Sequence, residues 1–130
     1  MRILFLDDDP ERVKAFLMAN RHHEVHVATN YVEAIQAIRK YDYEMMWLDH
    51  DLSVEDQMLD PIRDRHRFKE RGGTDVALAI VLHCSGKRKP KEVVVHSYNP
   101  LGARNMMAIL ARLHILVSHR PFSPKDLRVA

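Results

Sequence analysis

Short apolar runs alternate with amphipathic stretches along this chain, and the alternation predicts its fold. Strands are predicted at residues 2–6, 24–28, 44–48, 92–95 and 116–119. Between these runs, apolar residues recur at helical spacing, as Val13, Phe16 and Leu17 do after the first strand. Because parallel strands need long crossover connections, this alternation favours a parallel sheet with helices on both faces. The sequence therefore predicts an α/β three-layer sandwich around a parallel sheet of four to five strands.

Proline, glycine and short polar residues mark the starts of the helices. The marks fall at Asp9-Pro10, at Thr29 or Asn30, at Gly72-Gly73-Thr74 and at Asn99-Pro100. Residues after Ser123 could form one further short helix. The polar stretch of about 52–72 lacks an apolar stripe, so we interpret it as an insertion after the third strand. Residues 1–130 are thus predicted to form a single domain.

Composition narrows the class of protein. A chain of 130 residues suits one hydrophobic core, and a net charge of +2 does not by itself favour nucleic-acid binding. Cys84 is the single cysteine, so the chain has no disulfide partner of its own and a reducing cytoplasm is the expected location. No apolar run is long enough to cross a bilayer, and no membrane association is expected.

Aspartates follow two of the predicted strands at the point where each strand ends. Asp7, Asp8 and Asp9 come directly after the first strand, and Asp49 and Asp51 come after the third. The carboxyl ends of parallel strands share one edge of the sheet, which is where α/β proteins bind ligands. Several carboxylates at one edge repel each other unless a cation lies between them. The sequence predicts a divalent-metal site held by Asp7, Asp8, Asp49 and Asp51, and a function in phosphate chemistry or phosphate sensing.

Other roles for these aspartates remain open at this point. The run from Asp7 to Asp9 could instead stabilise the positive N-terminal end of the first helix. Asp51 could accept hydrogen bonds from backbone amides in the turn after the third strand. The first alternative would leave Asp49 and Asp51 without a partner for their charge.

Four short motifs, in chain order, resemble those of the response-regulator receiver domain. LFLDDDP supplies the acidic pair Asp7 and Asp8, and YEMMWLD puts Asp49 at the phosphoacceptor position. VVVHSYNP puts Ser97 at the hydroxyl position, and HRPF puts Arg120 where a receiver carries lysine. The resemblance implies a flavodoxin-like sheet with strand order 2-1-3-4-5.

Departures from the receiver pattern point to a narrower group. His50-Asp51-Leu52 and the polar insertion follow the phosphoacceptor position, and the fourth strand ends in His96-Ser97-Tyr98-Asn99-Pro100. The combination of LDHDL with HSxNP resembles the divergent receivers called cyclic-phosphate-processing receiver domains. The resemblance implies a metal-dependent phosphoesterase, with Mg²⁺ or Mn²⁺, acting on a cyclic phosphate. The expected substrates are RNA 2′,3′-cyclic phosphate ends or cyclic nucleotides.

Hydrolysis of a cyclic phosphate suggests roles for the other polar residues that follow the third, fourth and fifth predicted strands. His50 and His96 could move protons to and from water and the leaving oxygen, and with Asp49 they form the predicted catalytic set. Ser97, Asn99 and Arg120 are the predicted phosphate-binding residues. Strand alternation also allows another interpretation, in which His50 and His96 turn away from the carboxylates and support the site from behind.

Two further functions stay open on the sequence. The chain could be a stand-alone receiver that is phosphorylated on Asp49, or a non-catalytic binder of a phosphorylated nucleotide ligand. In each case the expected partner is a phosphate-containing small molecule or an RNA end. The basic stretch of residues 62–71 follows the third strand, so it could close over an anionic substrate as a lid.

Overall fold

The computed structural model describes residues 1–50, 72–84 and 86–129. Asp51, the predicted insertion up to residue 71 and the basic stretch of residues 62–71 lie outside the described residues. Over the described part, five parallel strands form one sheet: β1 (Arg2–Leu6), β2 (Glu24–Ala28), β3 (Met45–Leu48), β4 (Glu92–Val95) and β5 (Leu116–His119). The predicted strands are confirmed, with β3 starting one residue later than expected.

The strands lie in the order β2-β1-β3-β4-β5, which confirms the flavodoxin-like arrangement. The register of neighbouring strands decides what meets at the carboxyl edge. Leu6 of β1 pairs with Leu48 of β3, and Leu48 pairs with Val95 of β4. The three residues that follow these positions therefore emerge side by side from the sheet.

Four helices connect the strands in the described part: α1 (Pro10–Ala19), α2 (Tyr31–Lys40), α3 (Gly73–His83) and α4 (Pro100–Leu110). The predicted capping residues are confirmed for three of them, because Asp9, Asn30 and Asn99 each accept backbone N–H bonds of the first turn. Residues 124–129 form turns and irregular backbone. The helix considered after Ser123 is therefore absent from the described residues up to Val129.

Both faces of the sheet are buried, as expected for parallel strands. The strand residues that pack against α2, α3 and α4 are Leu4, Leu6, Met46, Leu48, Val93 and Val95. The opposite face carries Ile3, Phe5, Met45, Trp47 and Val94, which pack against Phe16 of α1 and against Phe122 and Leu127 of the C-terminal segment. This alternation along each strand decides which side of the edge each following residue faces. Among the described residues, no helix combines the length and the apolarity needed to cross a bilayer.

Candidate metal and phosphate site at the sheet edge

Three of the four predicted metal ligands converge at the carboxyl edge. Asp7 and Asp8 follow β1, Asp49 follows β3, and one carboxylate oxygen from each lies within 4.8 Å of the other two. Asp7 is fully buried and Asp49 is 6% exposed, whereas Asp8 is half-buried. The cluster therefore has two buried carboxylates and one that opens to solvent.

The electrostatic cost of this arrangement shows in two pKa values. Burial, and next the charge of Asp7, raises the pKa of Asp49 to about 7. The same two causes raise the pKa of Asp8. Both carboxyls thus hold a negative charge less readily than in water, although Asp49 Oδ1 accepts the His50 amide at 2.8 Å. A hard cation with oxygen ligands would relieve this cost, so the donor set fits Mg²⁺ or Mn²⁺.

Arg12 provides positive charge in this cluster, and sequence reasoning missed it. Its Nε donates to Asp7 Oδ2 at 2.7 Å, and its Nη2 donates to Asp7 Oδ1 at 2.9 Å. Its guanidinium also lies 3.5 Å from Asp9 Oδ2 and 3.6 Å from Asp49 Oδ2. The signal in the sequence is its place in the first turn of α1, after Asp9, Pro10 and Glu11.

His96 lies behind Asp7 and is only 1% exposed. Its ring stacks on Phe5 with centroids 5.0 Å apart, and its Nε2 lies 3.1 Å from the carbonyl oxygen of Leu6. Burial lowers its pKa to about 4, so the ring is neutral at pH 7 and Nε2 carries the proton. Its Nδ1 is 3.7 Å from Asp7 Oδ2. This buried position suits the supporting role that the sequence left open, and proton transfer by His96 stays a prediction.

His50 lies toward α4. Its Nδ1 is 3.4 Å from Asn99 Nδ2. A Cβ atom on Gly102 would come within 2.5 Å of His50 Cδ2, so the imidazole rests directly on the first turn of α4. Alternation beyond β3 explains the position: Asp49 turns toward α1, and the next residue turns to the other face. His50 and His96 thus support the edge from opposite faces of the sheet.

Ser97 and Asn99 shape the start of α4. Ser97 is buried, and its Oγ accepts the Asn99 amide at 3.0 Å, while its carbonyl accepts from His119 Nε2 at 2.8 Å. Asn99 Oδ1 caps α4 by accepting the Gly102 amide at 3.0 Å. The side-chain amide group of Asn99 still faces His50. Phosphate binding by Ser97 and Asn99 therefore stays a prediction.

Arg120 is not brought to the acidic cluster. Its guanidinium lies 5.3 Å from the centre of the Trp47 ring, and its Nη2 is 3.3 Å from Glu92 Oε2. Glu92 is the first residue of β4, so the side chain runs back toward the amino edge of the sheet. The indole ring and the Glu92 carboxylate hold the cation there. In this conformation Arg120 does not reach the acidic cluster, and its role as a phosphate clamp stays a prediction.

Gly73 allows α3 to begin directly on the backbone that follows β3. A Cβ at this position would overlap the carbonyl oxygen of Asp49, and the Gly73 amide donates to the carbonyl of His50 at 2.8 Å. The sequence predicts the helix start at this glycine pair but not the close approach. The contact fixes the backbone of Asp49 and His50 from the side of α3.

Comparison with known proteins identifies the family of this chain. The family model described as "Cyclic-phosphate processing Receiver domain" matches residues 2–112. The chain belongs to this family. Comparison with curated proteins gives no significant match.

Solved receiver domains share the fold of this family member. A CheY-like response regulator receiver from Methanospirillum hungatei is 18% identical, with a TM-score of 0.64 over 97% of this chain and 86% of its own. The Mn²⁺-bound response regulator Rcp1 is 16% identical, with a TM-score of 0.60 over 97% and 85%. Thermotoga maritima TrrA, solved with Mg²⁺-BeF, is 19% identical, with a TM-score of 0.56 over 94% and 86%. Identities this low establish the shared fold alone.

Proposed function

We infer that the protein is a metal-dependent phosphoesterase that hydrolyses a cyclic phosphate. The observation that carries this proposal is the convergence of Asp7, Asp8 and Asp49 within 4.8 Å, in a chain of the cyclic-phosphate-processing family. These three carboxylates would hold one Mg²⁺ or Mn²⁺ ion. When bound, such a cation neutralises charge that develops on a phosphate and makes a bound water more acidic.

The chain's own groups around the carboxylates suit a phosphate. His50 directly follows Asp49 along the chain, and its imidazole lies with the Asn99 amide group at the first turn of α4. The proposal requires a phosphate that extends from the carboxylates to this helix start. The amino end of α4 adds backbone N–H groups that favour an anion. In this proposal His50 exchanges a proton with the reacting oxygens, and the buried His96 packs beside Asp7 on the face of the sheet opposite His50.

An apolar cleft beside the carboxylates favours an organic phosphate over inorganic phosphate. It has a volume of about 420 Å³ and begins at Asp8, the most open residue of the cluster. Its walls include Val13, Leu17 and Met18 of α1. The volume is in the range of small-molecule sites, and the apolar walls suit the flat face of a nucleobase. A cyclic nucleotide or an RNA 2′,3′-cyclic phosphate end would present its phosphate to the cluster and its base to this cleft.

The test is a turnover assay with 2′,3′-cyclic and 3′,5′-cyclic nucleotides and a short RNA with a 2′,3′-cyclic end, each with Mg²⁺ or Mn²⁺. We expect phosphomonoester product from at least one compound and a loss of at least about 100-fold in kcat/KM in Asp49→Asn, because a ligand to the cation is removed. Asp42→Asn is the matched control, since this exposed carboxylate pairs with Arg88 away from the site.

Three other results would contradict the proposal in different ways. A labile phosphate on Asp49 after treatment with a small phosphodonor, without turnover, would identify a phosphorylated receiver. A rise in melting temperature with an intact cyclic nucleotide would identify a binder without catalysis. If no compound is converted and none binds, the acidic cluster does not act on cyclic phosphates.

A further inference from the structure

We propose that Arg12 is a built-in counter-cation that competes with the metal for the same carboxylates. In this arrangement Arg12 sets the affinity of the site for the metal and stabilises the fold when no metal is bound. The inference rests on the metal site of the proposed function, and it assigns a role to a residue that the receiver motifs do not contain.

The contacts of Arg12 are those of a compensating charge. Asp7 is fully buried, and a buried carboxylate without a partner strongly destabilises a fold. Arg12 meets it with two parallel N–H bonds of 2.7 and 2.9 Å, the geometry that suits a guanidinium and a carboxylate best. The Arg12 side chain is 29% exposed, so it lies at the boundary between the buried carboxylate and solvent.

No other arginine or lysine of the described residues forms an ion pair with Asp7 or Asp49. His96 Nδ1 lies 3.7 Å from Asp7 Oδ2, beyond hydrogen-bond distance, and its Nε2 lies 3.1 Å from the carbonyl oxygen of Leu6. Arg120, which stands where a receiver carries its lysine, is held by Glu92 instead. Within the part of the chain that the structure describes, Arg12 therefore balances the negative charge of Asp7 and Asp49 in the metal-free protein.

A metal and Arg12 would share ligands. Both oxygens of Asp7 accept bonds from the guanidinium, which also lies 3.6 Å from Asp49. A divalent ion bound to these carboxylates brings a second positive charge close to the first, and the two repel each other. Removal of the Arg12 charge should therefore strengthen metal binding and weaken the metal-free fold at the same time.

The test measures Mn²⁺ and Mg²⁺ dissociation constants of the full chain by titration calorimetry, together with melting temperatures in EDTA and in excess Mn²⁺. We expect Arg12→Met to bind Mn²⁺ at least fivefold more tightly than wild type, a coupling of ordinary size between two sites. We also expect Arg12→Met to melt at a lower temperature than wild type in EDTA. Excess Mn²⁺ should raise its melting temperature by more than it raises that of wild type.

Arg12→Lys keeps the charge and should bind Mn²⁺ nearly as the wild type does. Arg39→Met, which removes an exposed arginine on α2, is the matched control and should change neither quantity.

The outcomes separate this inference from the proposed function. An affinity in Arg12→Met equal to or weaker than that of wild type would overturn the inference and leave the metal site intact. The absence of Mn²⁺ and Mg²⁺ binding in every variant would overturn the metal site and the inference together. If Arg12→Met folds only when Mn²⁺ is present, the inference is supported. If it does not fold at all, Arg12→Gln decides, because it removes the charge but keeps a side-chain N–H donor: tighter Mn²⁺ binding than wild type supports the inference, and equal or weaker binding overturns it.

Discussion

At the scale of single residues, the site is governed by the cost of burying like charges. Asp7 and Asp49 leave neighbouring strands on the same face of the sheet and have little contact with solvent. Arg12 compensates Asp7 through short bonds, but it reaches Asp49 only at 3.6 Å. Asp49 therefore carries the larger unrelieved cost, which appears as its pKa of about 7.

Asp49→Asn tests this cost through stability. The pKa of Asp49 is about 7 in the native state and near 4 in an unfolded chain. As pH rises between these values, the unfolded chain releases the Asp49 proton before the native state does, so the free energy of unfolding of the metal-free protein should fall. Asp49→Asn removes this loss and keeps the Oδ1 acceptor for the His50 amide. In EDTA at pH 8, we expect it to melt a few degrees above wild type.

The difference between the two proteins should shrink as the pH falls to about 4 and below, where the wild-type carboxyl is protonated in the native state and increasingly so in the unfolded chain. Scanning calorimetry over this range in EDTA provides the measurement. A lower melting temperature of Asp49→Asn at every pH would show that the ionised carboxylate stabilises the native state instead.

Residue positions were predictable from the sequence where the backbone alone decides them. Asp7 and Asp49 converge because parallel strands in register end at one edge. Side-chain directions were not predictable where distant partners decide them. Arg120 turns away because Trp47 and Glu92 hold it, and neither partner lies near it in the sequence.

At the scale of elements, the site depends on how α3 and α4 begin. Both helices start on glycine-containing turns that press against the residues after β3. Gly73 accommodates the Asp49 carbonyl, and Gly102 accommodates the His50 ring. The sequence predicted both helix starts from their capping residues, but it could not reveal which backbone or ring each glycine faces.

Gly102→Ala tests the contact between α4 and His50. A methyl group there would overlap the imidazole, so the ring must move, and we expect a loss of about 1 kcal/mol in the free energy of unfolding. In a His50→Ala background the same change should be neutral or stabilising, because alanine favours a helix over glycine by up to about 1 kcal/mol. Chemical denaturation of the four proteins gives the coupling energy. Equal effects of Gly102→Ala in both backgrounds would mean that the ring does not rest on this glycine.

At the scale of the whole molecule, the fold explains the location of the site. A sheet in the order β2-β1-β3-β4-β5 places β1 and β3 side by side, although α1, β2 and α2 separate them along the chain. Hydrophobic alternation and chain order were sufficient to predict a parallel sheet covered by helices, and the resemblance to receiver domains supplied the strand order. They did not settle the C-terminal segment, which packs Phe122 and Leu127 on the sheet without forming a helix through Val129. Its apolar residues are too few to define a helical face, so packing on the sheet decides its path.

The proposed function depends on a single divalent cation bound jointly by the carboxylates that follow β1 and β3. The most direct measurement is an anomalous difference map from crystals of the wild-type protein grown with Mn²⁺, compared with crystals of Asp49→Asn. We expect one strong peak within coordinating distance of Asp8 and Asp49, and a weak or absent peak in the variant. A map without a peak at the cluster, or a peak that persists unchanged in Asp49→Asn, would contradict the proposed function.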